Sequence, residues 1–453
     1  MKKVVPFFFF ATVLVTTVQA QCWKSVTAGR FYSLAIKNDG TLSAWGDNEY
    51  GGLGDGTNMN KSTPVQIGTD SDWQSIVSGT YFTLGLKTDG TLWAWGYNYY
   101  GCLGDGTNID TNSPIQVGSD SDWQSVSAGY YHILALKTDG TLWAWGLNYN
   151  GQLGDGTNTN QNTPVQIGSD DHWQRVFGGE ESSFAIKTNG TLWTWGDNDY
   201  GQLGLGSDVD KNSPVQIGSD ADWQSVAPGG YHTLAIKTSG ALWAWGLNAS
   251  GQLGDGTNTH KNSPVQVGAT VQWQSASTGR YHSVALSSDG LLWAWGNNVF
   301  GQLGDGTNTN KNVPVQIGSS KWKSVSAGEA HTHALQPGGA LWAWGHNYTA
   351  QLGDGTNINR NIPTAITPCS MNTAISDISN TSIHCYPNPT TGFLQLEGVE
   401  TAQVEVYDCL GRLQRAFEYP RTGFDLSAAP AGIYRIKIRS GGKQYSARVV
   451  KVE

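Results

Sequence analysis

The phrase WQSVSAGYYHILALKTDGTLWAWG at Trp123–Gly146 narrows what this 453-residue chain can become more than any other feature. Its opening tryptophan recurs at Trp23, Trp73, Trp123, Trp173, Trp223, Trp273 and Trp322, a period of about 50 residues held through seven copies. Polar stretches such as LNYNGQLGDGTNTNQNTPVQIGSD separate the copies. A unit this short cannot bury a hydrophobic face alone. Neighbouring copies must cover one another, so the fold is decided by how the repeats stack.

Four runs in the third copy carry strand signals: Trp123–Val126, His132–Thr138, Thr141–Gly146 and Val165–Ile167, each bounded by Gly, Asp, Asn or Pro. Asp139-Gly140 reads as a two-residue hairpin turn, because both positions accept positive φ. Asp39-Gly40, Asp89-Gly90, Asn189-Gly190, Ser239-Gly240, Asp289-Gly290 and Gly338-Gly339 fill the same slot. These aspartates are turn chemistry, not catalytic acids. Such a turn sets Leu136 opposite Trp143 and Leu134 opposite Trp145 on one bulky face, with Ala135 and Ala144 on a slim one. Bulky face on slim neighbour, repeated seven times about an axis, predicts an all-β, seven-bladed β-propeller, within the usual four to eight blades. An open solenoid is the structural alternative, but it leaves a Trp-rich end without a polar cap.

The combination of AG-Y-H-x-L-A-L-K-T-D-G, L-W-A-W-G-x-N and Y-G-Q-L-G-D-G resembles the regulator of chromosome condensation repeat, over residues 23 to about 365. That resemblance implies the same seven-bladed propeller. Kelch repeats share the period, but the GQLG phrase and the missing Gly-Gly strand end separate them from this chain. The departures are local: Leu205-Gly206-Ser207-Asp208 in the fourth copy, and Ala350 in place of a glycine in the seventh.

Alternating strand direction assigns loops to the two ends of the disc. The loops at Gly129-Tyr130-Tyr131 and Asn148–Gly151 share one end with their counterparts, and that end is aromatic. Rigid aromatics on loops over a fixed scaffold bury area at low entropic cost. The candidate binding surface is therefore Tyr50, Tyr97, Tyr99, Tyr100, Tyr131, Tyr149, Tyr200, Tyr231, Tyr281 and Tyr348, with Tyr81 beside them. Some of these rings would instead staple neighbouring blades. The opposite end collects Asp70, Asp72, Asp120, Asp122, Asp170, Asp171, Asp220 and Asp222.

His132, His232, His282 and His331 occupy one slot, filled elsewhere by Tyr32, Phe82 and Ser182, and aromatic replacement there points to packing rather than metal binding. The DGTN runs lack the acidic spacing and closing Glu of a calcium loop and read as polar turns. Glu180-Glu181 reads as an exposed charged loop rather than an acid/base pair. No catalytic, cofactor-binding or metal-binding set stands out.

The first 20 residues carry Lys2-Lys3, an apolar run from Val4 to Val15 and a small-residue site at Val18-Gln19-Ala20. They read as a signal peptide whose apolar run is too short to span a membrane, which leaves no transmembrane span in the mature chain. Gln21 directly before Cys22 speaks against a lipid anchor. Lys and Arg number 27 against 36 Asp and Glu, with no basic run, which argues against nucleic acid as a partner. Cys22, Cys102, Cys369, Cys385 and Cys409 are an odd number, so at least one thiol is free or intermolecular. A Cys22–Cys369 clasp where the ends of a ring meet is one arrangement, and free or differently paired cysteines are the other.

Residues 21–368 are thus expected to form the propeller and 369–385 a linker. Residues 386–453 read as a small β-sandwich with strands near Phe393–Leu396, Ala402–Tyr407, Leu413–Phe417, Ile433–Arg439 and Tyr445–Val452. Tyr386-Pro387-Asn388-Pro389, Val406-Tyr407-Asp408 with Gly411-Arg412, Ala431-Gly432-Ile433-Tyr434 and the basic end at Lys451 together resemble the C-terminal sorting domain of the bacterial type IX secretion system. That resemblance implies passage across the outer membrane through this machinery, with residues 386–453 as an address that is often removed. The expected protein is secreted or held on the outer cell surface, and binds an extracellular protein or glycan. One alternative is an extracellular polysaccharide-active enzyme, which a convergent acid/base pair in the central mouth would favour. Nucleotide exchange on a small GTPase, an activity known in the repeat family, is at odds with export and with an acidic surface.

Overall fold

The computed structural model describes residues 23–366 and, further on, 385–386, 393–396, 402–408, 413–419, 423–430, 432–440 and 443–451. The expected signal peptide, the linker, Cys22, Cys369, Cys409 and the side chain of Cys385 lie outside the described residues, and with them the possible clasp. The chain divides into two compact units, Met1–Thr373 and Ala374–Glu453.

In the first unit each repeat supplies one four-stranded antiparallel sheet, with the strands in chain order. The third blade uses Trp123–Ala128, His132–Lys137, Leu142–Gly146 and Gln161–Gln166. Its last strand starts earlier than the apolar Val165 implies because it is the outer edge, polar and half-exposed along its length. Pro164 is tolerated there, since an edge residue need not donate to a neighbour.

The hairpin differs from the expected one. Lys137 N donates to Thr141 O at 3.2 Å and Gly140 N to Lys137 O at 3.0 Å, enclosing the three residues Thr138, Asp139 and Gly140. Gly140 adopts φ +83°, the left-handed residue that ends a three-residue hairpin loop. A Cβ there would lie 2.0 Å from Asp171 O. The extra loop residue slips the register by one, so Leu136 faces Leu142, Leu134 faces Ala144, Ala135 faces Trp143 and Ile133 faces Trp145. A slip of one residue moves every side chain to the other face. The expected Leu/Trp and Ala/Ala faces are thereby corrected to a leucine face and a tryptophan–alanine face.

These two faces interlock around the ring. Trp123, Ala135 and Trp145 pack on Leu84, Leu86, Leu92 and Leu103 of the preceding blade. Leu134, Leu136 and Leu142 receive Trp173, Ala185 and Trp195 of the following one. Trp145 is fully buried and its Nε1 donates to Cys102 O at 3.0 Å. Gly104 lies beneath that indole, where a Cβ would sit 2.8 Å from Nε1. The repeated G-x-L-G phrase is thus a seat for the next blade's tryptophan.

The seventh seam repeats the pattern. Trp23, Ala35 and Trp45 pack on Leu335, Leu341, Ala343 and Leu352, and Trp45 Nε1 donates to Gln351 O at 3.0 Å. The ring is closed, which sets the solenoid aside. Ala350 takes φ +64° where most copies carry glycine, the only non-glycine among the described residues to do so.

In the second unit, Cys385–Tyr386, Phe393–Leu396 and Phe424–Asp425 form one sheet. Leu413–Glu418, Gln403–Tyr407, Gly432–Ser440 and Lys443–Lys451 form another. Leu394, Leu396 and Phe424 from the first share a core with Val404, Val406, Ile436 and Ile438 from the second, as in a small sandwich.

Candidate ligand-binding face

The innermost strands of successive blades touch around the axis and end in the loops that form one face. Below that face the seams are locked by the histidine slot. His132 Nε2 meets Ser183 Oγ of the next blade at 2.8 Å, His232 meets Ser283 at 2.9 Å and His282 meets Thr332 at 3.1 Å. Where the slot holds Phe82, the facing residue is the apolar Ile133, and the two share a core. Burial pushes the His132, His232 and His282 imidazoles down to about 3, so they are neutral hydrogen-bonding rings. Gly129 gives such a ring its room, because a Cβ there would lie 2.2 Å from His132.

The aspartates of the opposite face are largely spent within their blades. Lys137 Nζ lies between the rings of Trp123 and Trp143, at 5.0 and 4.8 Å from their centroids. It also sits 2.6 Å from Asp120 and 3.2 Å from Asp122. Lys87 with Asp70 and Asp72, and Lys237 with Asp220 and Asp222, repeat this clamp. Lys187 pairs with Asp170, while Asp171 meets His172.

The tyrosines fall into three sectors rather than one continuous patch. Tyr50, Tyr97, Tyr99, Tyr100, Tyr131 and Tyr149 form an arc over the first three blades, joined through Tyr81. Its links are Tyr50–Tyr97 at 5.2 Å, Tyr97–Tyr131 at 5.6 Å, Tyr99–Tyr100 at 5.0 Å and Tyr100–Tyr149 at 6.1 Å. Tyr200, Tyr231 and Tyr281 make a second group. Tyr348 packs with Phe300 and His346, which were not anticipated. Within the arc Tyr99 (65% exposed) and Tyr149 (62%) offer whole ring faces, while the others are half-buried supports. Desolvation holds the Tyr97, Tyr100 and Tyr131 phenols above their ordinary pKa, so they remain neutral hydroxyl groups at physiological pH.

At the centre of the same face lies a cluster that the sequence did not disclose. One loop slot reads Arg30, Thr80, Tyr130, Glu180, Gly230, Arg280 and Glu329 around the ring. The backbone sews these loops together: Thr80 N donates to Tyr130 O at 3.0 Å, Tyr130 N to Glu180 O at 3.0 Å and Arg280 N to Glu329 O at 3.1 Å. The side chains converge in the mouth. Arg280 donates to Glu180 and Glu329 at 3.3 Å each and to Tyr231 Oη at 3.0 Å, while Arg30 pairs with Glu329. Arg30 also lies 5.1 Å from the ring centroid of Tyr130.

Glu180 is therefore not the exposed loop residue expected from the sequence; it is 8% exposed. Burial, outweighing Arg280 and Arg30, raises its carboxyl to about 7. The proton is then bound more tightly in the folded than in the unfolded chain. Its contribution to stability is present below about pH 4.5 and is lost as pH rises to about 7. We expect Glu180→Gln, which stays neutral throughout, to gain up to about 3 kcal/mol on the parent between pH 4.5 and 8. Denaturant titrations of both chains across that range check this, and parallel profiles would show an ordinary carboxyl at this position.

Beside the mouth, Glu181 and Asp197 are also pushed up, by burial and then by neighbouring carboxylates, Asp197 to about 6. Asp197, Asp199 and Asp210 bring carboxylate oxygens within 4.8 Å of one another. Two of those groups already hold protein partners: Gln202 Nε2 donates to Asp197 at 2.7 Å and Asn198 N to Asp210 at 2.8 Å. They tie the loop of the fourth blade.

A family profile described as RCC1-like domain matches residues 23–278. Regulator of chromosome condensation (RCC1) repeat profiles match residues 273–302, 289–335 and 338–385. A profile described as secretion system C-terminal sorting domain matches residues 384–452. Among solved structures the chain is similar to human WBSCR16, at 24% identity and a TM-score of 0.66, covering 72% of this chain and 94% of that one. It is also similar to Prp20p from Saccharomyces cerevisiae, at 22% identity and a TM-score of 0.65, covering 77% and 88%. At such identities the likeness is one of fold. No curated protein matches the chain. Among the described residues no helix is long and apolar enough to cross a membrane.

Proposed function

The chain belongs to the family of RCC1-like domains and carries a secretion system sorting domain. From that premise we propose that it is an exported binding propeller, which engages an extracellular protein or glycan through its tyrosine-rich end. The observation that carries this reading is the arc from Tyr50 to Tyr149, in which half-buried tyrosines brace two exposed ones on loops fixed by the ring. Preorganised aromatics of this kind supply contact area with little ordering cost. The remaining candidates, Tyr200, Tyr231, Tyr281 and Tyr348, form the flanks of the same face. The test is a screen of the full chain against immobilised oligosaccharides and extracellular proteins, beside a variant with Tyr97, Tyr99 and Tyr100 changed to Ala. Binding that the variant retains in full would remove the reading.

Export follows the same proposal. Residues 1–20 act as the signal peptide, 21–368 as the cargo propeller and 386–453 as the address read by a type IX machinery. Deleting residues 386–453 is expected to leave a folded propeller trapped inside the outer membrane, because the 21–368 ring closes on itself without them. Fractionation in a host that has the secretion system checks this. Equal amounts of the shortened chain outside the cell would contradict it.

A second reading, a polysaccharide-active enzyme, draws on Glu180 and Glu329, which meet in the mouth through Arg280. Both carboxylates are paired to guanidinium groups, which suits positioning better than proton transfer or nucleophilic attack. Release of reducing ends from bound glycans would favour this reading over simple binding.

A further inference from the structure

We propose that the central mouth is a saccharide-end site, which takes a terminal sugar ring of a neutral glycan whose chain runs out over the tyrosine arc of the first three blades. The proposal rests on the binding reading above and names its ligand class.

The mouth is an open funnel of about 160 Å³, smaller than a site that encloses a whole ligand and suited to one end of a longer chain. Three buried polar atoms of its lining residues find no protein partner: Glu180 Oε2, Arg280 Nε and Tyr130 Oη. They comprise one acceptor, one donor and one hydroxyl that serves as either. A pyranose ring carries the complementary set, because each of its hydroxyls donates one hydrogen bond and accepts others. Buried polar groups left without partners are costly, so a ligand that satisfies all three gains at each of them.

Charge separates the ligand classes. With Glu180 ionised, above about pH 7, Arg30 and Arg280 balance Glu180 and Glu329, leaving no net formal charge among the four. An entering anion would meet the two carboxylates, and an entering cation the two guanidinium groups. A neutral polyol meets neither penalty, accepts charge-assisted hydrogen bonds from the guanidinium groups and donates them to the carboxylates. The walls continue the site outward: Tyr130 lies 6.5 Å from Tyr131, which leads through Tyr97 to the exposed Tyr99. Ring faces along that path suit the C–H faces of successive sugars.

The experiment uses the full chain on an array of neutral hexasaccharides built from glucose, xylose, mannose and N-acetylglucosamine. Polygalacturonate and a sulfated glycan serve as acidic controls. Binding to at least one neutral hexasaccharide, little changed by added salt, is the expected result. Tyr130→Phe removes a hydroxyl with no protein partner, so its Tm should stay within about 1 °C of the parent while affinity falls about tenfold. At pH 8, where Glu180 is ionised, Glu180→Gln should weaken binding by about tenfold or more, because a charged acceptor is lost. Binding of acidic glycans or of proteins only, or of nothing on the array, overturns the proposal. If the Tyr97, Tyr99, Tyr100 variant loses binding and Tyr130→Phe does not, the aromatic face stands and the mouth site falls. If neither variant is affected, both fall.

Discussion

Replacing Trp45 by alanine should remove about 4 kcal/mol of stability, the cost of emptying a fully buried tryptophan site. Trp45 sits in the one seam that the backbone does not cross from blade to blade. The chain enters the ring at Trp23 and leaves it at Ile366, and each blade is built from a single contiguous repeat, so no strand from one end of the chain completes a sheet at the other. The seam is instead held by the Trp45 indole on Leu335, Leu341 and Leu352, by Ser33 Oγ against His333 Nε2 at 2.7 Å, by Ala28 N donating to Ser326 Oγ at 3.0 Å and by the Arg30–Glu329 pair. Trp145→Ala deletes the same indole at a seam whose blades stay tethered. Both variants should melt roughly 5–10 °C below the parent. Only Trp45→Ala should also speed amide exchange selectively in the first and seventh blades, because the open end can part there. A Tm within 1 °C of the parent, or exchange raised evenly around the ring, would show that the seam is not closed by Trp45.

The second large effect is on binding. Changing Tyr97, Tyr99 and Tyr100 to Ala strips the middle of the arc and should lower affinity by about a thousandfold, or about 4 kcal/mol, since buried aromatic anchors dominate such surfaces. Tyr97 also braces Tyr50 and Tyr131, so part of that loss is disorder of its neighbours. A cleaner pair is Tyr99→Ala with Tyr149→Ala, whose exposed rings contribute little to folding. Their joint change should leave Tm unaltered and still cost about a hundredfold in binding. Tyr348→Ala, in a separate sector, should leave affinity near the parent's if the arc carries the site. Equal losses from Tyr348→Ala and the Tyr99/Tyr149 pair would mean that the whole rim binds.

The ring was legible because its period is so regular that each copy labels the others. The hairpin register was not, since Asp-Gly serves both as a two-residue turn and as the end of a three-residue loop, and only the Lys137–Thr141 hydrogen bond distinguishes them. The tyrosines announced an aromatic end, but their division into sectors depends on which loops adjoin across the seams. Phe31, Phe300 and His346 were passed over for not being tyrosine, although they stand at the same end. The mouth was missed for a different reason. Arg30, Tyr130, Glu180, Arg280 and Glu329 lie one repeat or more apart, and each looks like a stray surface residue until the ring gathers them. A usable signal was present: near-identical repeats hold no common residue at that slot, which is where a sevenfold scaffold gives way to an asymmetric site.

The central claim, that ligand meets the ring at the arc of the first three blades, is tested most directly by tyrosine nitration. The full chain is treated with and without the mixed neutral hexasaccharides, and the modified positions are read by mass spectrometry. Protection of Tyr99 and Tyr149, with Tyr348 modified equally in both samples, is the predicted result. Unprotected Tyr99 and Tyr149, or protection that falls equally on Tyr348, would contradict it.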